Sequence, residues 1–330
     1  MRDPAGRRAL ELVDARFHVY DRVAFDLQGP GNADDHAAKE NLEVEEDRPS
    51  ATADGAALLR AVHQLLDVPP IFEDPLAARL IAPDTAARLH DPATFQTPAV
   101  RALRASVAIR SRFAEDRLAA AVHRGVPQYV LLGAGLDSFA YRNPFEPSAL
   151  HVFEVDHPST QARKRERLRA AGIAPPATLT FVPVDFERRT LAESLARHGF
   201  DREVPAFVSW LGVTIYLQRE AVLRTLAWAA SLAAGSEIVF TYSAPRDRPP
   251  AAWLALKTRA DGLGEPWITF FEPDALAGEL RRLGFAELLD LGPDDAFARY
   301  CRGRADGLRP GGSGHLMSAR TGGRDGTVRS

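Results

Sequence analysis

The stretch YVLLGAGLDSFAYR, residues 129–142, decides the fold of this chain. An apolar run ends abruptly in Gly133-Ala134-Gly135, and an acid follows at Asp137. Because glycine has no Cβ, the chain can turn tightly there and a ligand can lie against the peptide plane. In an open parallel sheet, ligands bind beyond the carboxyl ends of the strands. The stretch therefore predicts a strand over residues 129–132, followed by a turn that contacts a ligand through its backbone.

Short apolar runs recur after this strand, and each is typical of a strand buried on both faces. They cover residues 151–155, 179–184, 206–211 and 237–242. The segments between them have helical spacing, so the strand-helix-strand unit repeats. The closing pieces PDALAGELRRLGF, AELLDL and GHLMSAR indicate a helix and two strands. We predict the α/β class, with a doubly wound, Rossmann-like, mostly parallel sheet of about seven strands and an antiparallel pair at its terminal edge.

A helical cap is predicted on the N-terminal side of this repeat. Residues 56–66 repeat apolar side chains three and four apart, and residues 98–123 form a long helical pattern that stops at a glycine and a proline. We therefore predict a folded body over 50–320, with the cap over 50–127 and the sheet core over 128–320. Residues 1–49 are expected to be a partly disordered extension and residues 321–330 a disordered tail.

Composition restricts the function classes. The chain has 330 residues, a formal net charge of −3 and a single cysteine, Cys301. This charge does not favour nucleic acid or an anionic membrane as a partner, and one cysteine cannot form an intramolecular disulfide. We see no signal peptide and no apolar run of membrane-spanning length, so a cytoplasmic protein is expected. A small-molecule substrate is expected because the sequence shows no evident surface specialised for a protein partner.

The turn at residue 133 does not fit a dinucleotide. A dinucleotide fold uses G-x-G-x-x-G, whose third glycine lets the helix pack beside a pyrophosphate. Ser138 stands at that third position, and the Asp137 carboxylate is unfavourable beside two phosphates. The same carboxylate suits a cationic amino group. S-adenosylmethionine carries such an amine and no phosphate, so it is the ligand that the turn favours.

Acids at the next two strand ends agree with this ligand. Glu154 and Asp156 follow about twenty residues after Gly133, the spacing at which an acid meets ribose hydroxyls. Asp185 and Phe186 end the third run, where an acid can accept from the adenine amino group and a backbone N–H can donate to the ring. Taken singly, each acid has another explanation. Asp156 can be a charge at a helix N-terminus, and Asp185 can be a loop acid.

Taken together, these motifs resemble the class I S-adenosylmethionine-dependent methyltransferases, in the leucine carboxyl methyltransferase branch with its bacterial O-methyltransferase relatives. The resemblance covers roughly residues 50–320. It rests on the segments FEDPLAARLI, AIRSRFAED, QYVLLGAGLDSFAYR, VFEVDHP, VPVDFE, SWLGVTIYL and FEPDALAGELRRLGF. It implies S-adenosyl-L-methionine as cofactor, S-adenosyl-L-homocysteine as product and no metal.

The resemblance also implies site residues. Arg110 is expected to pair with the carboxylate of the cofactor through its planar fork. Gly133, Ala134 and Gly135 are expected against the methionine portion. Asp156 is the expected ribose ligand, with Glu154 as the alternative, and Asp185 with Phe186 is the expected adenine pair.

One position departs from the family pattern. Many relatives carry an acid two residues before a V-x-x-Y-L element, where it contacts the cofactor amine, and this chain has Leu211 there. Asp137 is a candidate substitute, and water-mediated binding is the alternative. Tyr216 follows the fourth strand and either lines the reaction pocket or is a packed aromatic residue.

The chemistry that follows is in-line methyl transfer to an oxygen nucleophile. A carboxylate acceptor needs no base, whereas a phenol or alcohol benefits from one, and no residue is assigned as a general base. We expect O-methylation of a small-molecule carboxyl or hydroxyl group. The alternatives are a Rossmann-type NAD-dependent dehydrogenase and a catalytically inactive cofactor-binding scaffold.

Overall fold

The computed structural model describes residues 51–87, 89, 91–184, 190–247, 254, 257–258, 261–262 and 266–322. The predicted extension over 1–49 and residues 323–330 of the predicted tail lie outside this part of the chain. Thr321 was predicted to be disordered, and this is wrong. Its backbone N–H donates to the Ser236 carbonyl at 2.9 Å and its hydroxyl donates to the Ala233 carbonyl at 3.0 Å, so the last strand includes it.

The predicted sheet is confirmed. Its seven strands lie in the order β3-β2-β1-β4-β5-β7-β6. Strands β1 to β5 are parallel to one another. Strand β7 runs antiparallel to both β5 and β6, and β6 with β7 forms the predicted antiparallel pair at one edge. The bounds are Gln128–Leu132, His151–Asp156, Leu179–Pro183, Ala206–Trp210, Glu237–Ser243, Phe285–Leu291 and Gly314–Thr321 for β1 to β7.

The strand order places a ligand site at β1. The chain leaves β1 toward β2 on one side and later returns to place β4 on the other, so the connections reverse direction between these strands. Open α/β sheets bind ligands in the crevice at such a reversal, beyond the carboxyl ends of the strands. The turn at Gly133 follows β1, and the loop at Gly212 follows β4.

Helices cover the sheet and its carboxyl edge. The bounds are Ala51–Leu66, Ala77–Leu80, Pro83–Ala87, Pro98–His123, Pro158–Ala170, Leu191–Arg197, Arg219–Ala230, Pro273–Leu283 and Pro293–Tyr300 for α1 to α9. The predicted bounds of α4 are confirmed, because Thr97 caps its N-terminus and Pro98 occupies its first turn. Helix α1 starts five residues earlier than predicted. Helix α9 was not predicted, although a proline and two acids open it.

Two apolar layers hold these elements together. Alternate residues of each strand point to opposite faces of the sheet. Val130, Val208 and Phe240 pack on the face covered by α7 and α8, whereas Leu131, Phe207 and Val239 pack against α4. Because β1 and β4 are buried along their whole length, the positions of their carboxyl ends are set by the core.

A buried ion cluster joins α1 to α4. Arg104 donates to both Asp67 oxygens, at 2.6 and 2.8 Å, and also to the Phe95 carbonyl at 2.7 Å. The Nδ1 atom of His63 lies 2.7 Å from the same carboxylate, and its Nε2 accepts the backbone N–H of Ile71 at 2.9 Å. Since the side chains of Asp67, His63 and Arg104 are almost inaccessible to solvent, the cluster ties the cap to the helix that lies on the sheet.

We expect this cluster to make the free energy of unfolding depend on pH in the acid range. Burial by itself raises the pKa of Asp67, but hydrogen bonds from His63 and Arg104 outweigh it and lower the pKa to about 2. A carboxyl whose pKa is lowered on folding stabilises the protein above its unfolded pKa, and this stabilisation is lost as the pH falls from about 4 toward 2. Asp67→Asn should therefore lower the free energy of unfolding by about 3 kcal/mol at pH 7, measured by urea denaturation.

The matched control is Glu203→Gln, which removes one partner of an exposed ion pair with Arg202. Such pairs contribute little to stability, so this variant should stay within about 0.5 kcal/mol of the wild type. Equal losses in the two variants would show that burial of the Asp67 cluster does not matter for stability.

Candidate functional site

A cavity of about 280 Å³ lies where the sequence places the ligand. The turn after β1 and the loop after β4 form one side, and residues of α1 and α4 form the other. Leu136 of the turn packs in one apolar cluster with Ala57 and Ala61 of α1. The cap therefore lies over the carboxyl ends of β1 and β4.

The turn after β1 has the conformation that its glycines allow. Gly133 and Gly135 have φ values of 65° and 49°, a region that other residues rarely adopt. The backbone N–H groups of Gly133 and Ala134 both donate to the Val155 carbonyl, at 2.9 and 3.1 Å. A Cβ on Gly133 would lie 2.7 Å from Cγ2 of Val213. The turn and the β4 loop therefore approach too closely for a side chain at residue 133.

Asp156 lies at the carboxyl end of β2, beside this turn. Its Oδ2 accepts the backbone N–H of Gly135 at 2.5 Å, and its Oδ1 accepts that of His157 at 2.7 Å. Burial raises the pKa of Asp156, and the two N–H groups oppose that effect. The carboxylate lines the cavity. Each oxygen still has a lone pair for a further donor such as a hydroxyl group.

Arg110 extends from α4 into the cavity. A Cβ on Gly212, where φ is +74°, would lie only 2.4 Å from its Nη1 atom, so the guanidinium lies directly against the backbone of the β4 loop. Within the part of the chain that the structure describes, the guanidinium has no hydrogen bond or ion pair. Burial lowers its pKa to about 10, which leaves it charged at neutral pH. An unpaired guanidinium in a cavity is a site for a carboxylate.

Strand β5 holds the β4 loop in place. The N–H of Gly212 donates to the Thr241 hydroxyl at 2.7 Å, and the Thr214 hydroxyl donates to the Thr241 carbonyl at 2.6 Å. Leu211 and Tyr216 both line the cavity. Leu211 is partly buried and packs against the apolar layer under α4, so it presents an apolar side chain to the cavity where the family resemblance predicts an acid.

Asp137 lines the same cavity and already has a cationic partner. Its Oδ1 accepts the backbone N–H of Phe139 at 2.8 Å, and its Oδ2 accepts from Nη1 of Arg60 at 3.2 Å. Burial raises the pKa of Asp137, but the nearby cations, Arg60 first among them, outweigh burial and lower it. Sequence reasoning did not find Arg60. The only sequence signal for Arg60 was weak, namely that a cationic residue interrupts the apolar repeat of α1.

The other predicted cofactor ligands have different positions. Glu154, the alternative ribose ligand, is fully buried, and its Oε2 lies 2.7 Å from Nζ of Lys164, which is also buried. Glu154 is not among the residues that line the cavity. The predicted adenine pair, Asp185 and Phe186, lies outside the described residues.

Neither a metal-binding cluster nor a membrane-spanning helix is present in the described part of the chain. Among the described residues, no group of three or more His, Cys, Asp or Glu side chains is placed to hold a metal ion. In the same part of the chain, no helix has both the length and the apolar character needed to cross a membrane.

Comparison with known proteins identifies the family of this chain. The model of the leucine carboxyl methyltransferase family matches residues 53–230. The Bacillus subtilis protein YktD, named "Putative S-adenosyl-L-methionine-dependent methyltransferase", is 31% identical over 282 residues, which are 77% of this chain and 91% of YktD. A Mycobacterium marinum protein of the same description is 35% identical over 229 residues, covering 66% of this chain and 72% of its own length.

Solved structures show the same fold. A "putative methyltransferase" from Thermobifida fusca YX aligns with a TM-score of 0.51 at 19% identity, over 84% of this chain and 97% of its own. A DUF574 family protein from Streptomyces avermitilis aligns with a TM-score of 0.52 at 16% identity, over 81% and 97%. None of these similarities supports the NAD-dependent dehydrogenase alternative. The chain belongs to the leucine carboxyl methyltransferase family and is an S-adenosyl-L-methionine-dependent methyltransferase.

Proposed function

We propose that this enzyme transfers the methyl group of S-adenosyl-L-methionine to an oxygen of a small molecule, with a carboxylate as the favoured acceptor. The observation that carries the proposal is the unpaired Arg110 guanidinium, which faces the same cavity as the turn at Gly133 and the Asp156 carboxylate. These groups match the carboxylate, the side chain of the methionine portion and the ribose of S-adenosyl-L-methionine.

The cofactor fits the described residues. Arg110 would hold its carboxylate, because a guanidinium fork binds a carboxylate through two parallel hydrogen bonds. The backbone from Gly133 to Gly135 would lie along the methionine portion, and Asp156 would accept from the ribose hydroxyls. Asp185 and Phe186 remain the predicted adenine contacts. When bound, the cofactor supplies an electrophilic methyl group on a positively charged sulfur.

The task of the protein is to position the acceptor. Methyl transfer is a displacement in line with the sulfur–methyl bond, so holding the nucleophile close and collinear provides much of the rate enhancement. Helix α1 lies over the cavity and Tyr216 lines it from the β4 loop. We propose that these elements exclude water and shape the acceptor site, with Tyr216 as a pocket residue.

The state of the two cavity carboxylates favours an acceptor that is already ionised. Asp137 is paired with Arg60, and both Asp156 oxygens accept backbone N–H groups. Neither is placed as an unengaged proton acceptor, whereas an alcohol or phenol benefits from a base in the transition state. A carboxylate has no proton to remove at neutral pH. The description of the family as carboxyl methyltransferases agrees with this choice.

The role of Arg110 can be tested by binding. Arg110→Met should weaken S-adenosylhomocysteine binding at least about tenfold, because it removes a charged hydrogen-bond donor from the cofactor carboxylate. Isothermal titration calorimetry measures this directly, with NAD as a second ligand that should not bind. Arg112→Met, on an exposed side chain of the same helix, is the control and should leave the affinity unchanged. Unchanged affinity in Arg110→Met would refute the assigned role.

The contact between Arg110 and Gly212 gives a second test. Gly212→Ala adds a Cβ that collides with the guanidinium, so we expect both lower stability and at least about tenfold weaker S-adenosylhomocysteine binding. Gly199→Ala is the matched control, since Gly199 also has a positive φ, of +85°, but open space around its Cβ position. It should lose only about 1 kcal/mol of stability through backbone strain and keep its affinity. Equal binding in the two variants would contradict the geometry.

The acceptor class can be tested with a labelled methyl group. The enzyme is incubated with methyl-labelled S-adenosylmethionine and a small-molecule extract, and the products are then treated with mild base. Methyl esters release labelled methanol under these conditions, whereas methyl ethers do not. We expect volatile label with the wild type and clearly less with Arg110→Met when the cofactor is kept below saturation. Base-stable label would contradict a carboxylate acceptor, and cofactor binding without any transfer would favour the inactive scaffold.

A further inference from the structure

Arg60 connects the cap to the ligand-binding turn. It lies on α1, is only 7% exposed and lines the cavity. Its Nη1 donates to Asp137 at 3.2 Å, its Nη2 donates to the Leu136 carbonyl, and its Nε lies 3.6 Å from the buried carboxylate of Asp74. One side chain of the cap therefore contacts two consecutive residues of the turn.

This arrangement determines where the Asp137 carboxylate lies. Its Oδ1 is held by the backbone N–H of Phe139 and its Oδ2 by Arg60. The bond to the Leu136 carbonyl also anchors the backbone directly before it. A guanidinium offers five donors in a rigid plane, so it can make these contacts together, which a lysine ammonium on a flexible stem does less well. Asp137 is therefore an oriented, ionised carboxylate.

The cavity offers opposite charges for an amino-acid group. Arg110 is a cation without a partner among the described residues, and Asp137 is an anion that lines the same cavity. Burial has the largest effect on the pKa of Arg110 and lowers it, Tyr216 raises it, Arg60 lowers it and Asp137 raises it, so Arg110 and Asp137 interact electrostatically. The methionine portion of the cofactor carries one carboxylate and one ammonium group. Leu211 has no charge to offer that ammonium.

We propose that Arg60 is a positioning residue for cofactor binding: it orients Asp137 to accept the α-amino group, so that docking of α1 completes the methionine half of the site. This inference rests on the proposed cofactor site, and it adds to that site Arg60, a residue of the cap. Arg60 acts through Asp137 and does not itself contact the ligand.

The test compares two ligands that differ in the amino-acid portion. S-adenosylhomocysteine carries the carboxylate and the amine, whereas 5′-methylthioadenosine keeps the thioether, ribose and adenine and lacks both charges. Arg60→Met should weaken S-adenosylhomocysteine binding about tenfold and change 5′-methylthioadenosine binding by less than about twofold. Both affinities are measured by calorimetry. A parallel loss for both ligands, or no loss for either, would overturn the proposal, since loosening of the cap alone affects both equally.

A matched control separates cap docking from the role of Asp137. Asp54 lies on the same helix and pairs with Arg163 and Arg167 of α5, at 2.8 and 2.6 Å. Asp54→Asn weakens the docking of α1 at contacts with α5 and not at the turn. It should therefore leave the ratio of S-adenosylhomocysteine affinity to 5′-methylthioadenosine affinity at its wild-type value. A change of this ratio as large as that in Arg60→Met would overturn the specific role of Arg60.

A double-mutant cycle tests whether Arg60 acts through Asp137. Asp137→Asn should lower S-adenosylhomocysteine affinity selectively, and Arg60→Met added to it should cause no further change in the affinity ratio. Additive losses would mean that Arg60 contacts the ligand itself.

If Arg60→Met does not fold, Arg60→Lys replaces it, and the ratio of the two affinities should then change about threefold. An unchanged ratio in Arg60→Lys would overturn the proposal. Failure of the wild type to bind S-adenosylhomocysteine would instead overturn the proposed function.

Discussion

The site depends on a close approach between two backbone segments. The turn after β1 and the loop after β4 lie side by side because the strands before them are neighbours in the sheet and end at the same edge. A Cβ at residue 133 would collide with the Val213 side chain of the loop after β4, and a Cβ at residue 212 would collide with the Arg110 guanidinium of α4. Two glycines with positive φ satisfy this constraint. The cavity can therefore be lined by peptide groups at positions where other residues would fill it.

Charge in this cavity is distributed between the sheet and the cap. Asp137 and Asp156 follow β1 and β2, while Arg60 and Arg110 come from α1 and α4. Three of these side chains are engaged within the protein, and the fourth, Arg110, has no partner among the described residues. Because a half-buried ion without a partner loses part of its hydration uncompensated, a bound carboxylate would relieve this penalty. Binding of an anionic group at Arg110 thus has a physical driving force within the protein itself.

The cap matters for more than the exclusion of water. The His63, Asp67 and Arg104 cluster fixes α1 against α4, and Arg60 on the same helix reaches the ligand-binding turn. Since Arg104 and Arg110 both lie on α4, the helix that anchors the cap also carries the guanidinium that lines the cavity. Packing of the cap and geometry of the cavity are consequently parts of one arrangement, although they come from distant parts of the sequence.

The sequence by itself determined the class of fold, the order of the strands along the chain and the acids near their ends, because apolar periodicity and glycine turns are local signals. It also placed α4 correctly, through its cap and its proline. It missed α9, which has only eight residues and so is too short to show a repeated helical pattern. Only the tertiary structure decided which side chains and backbone segments meet. Arg60 and Asp137 are 77 residues apart, and Arg110 of α4 contacts Gly212 in the loop after β4. No local pattern encodes such pairs, since they arise when the core brings separate elements to one edge of the sheet.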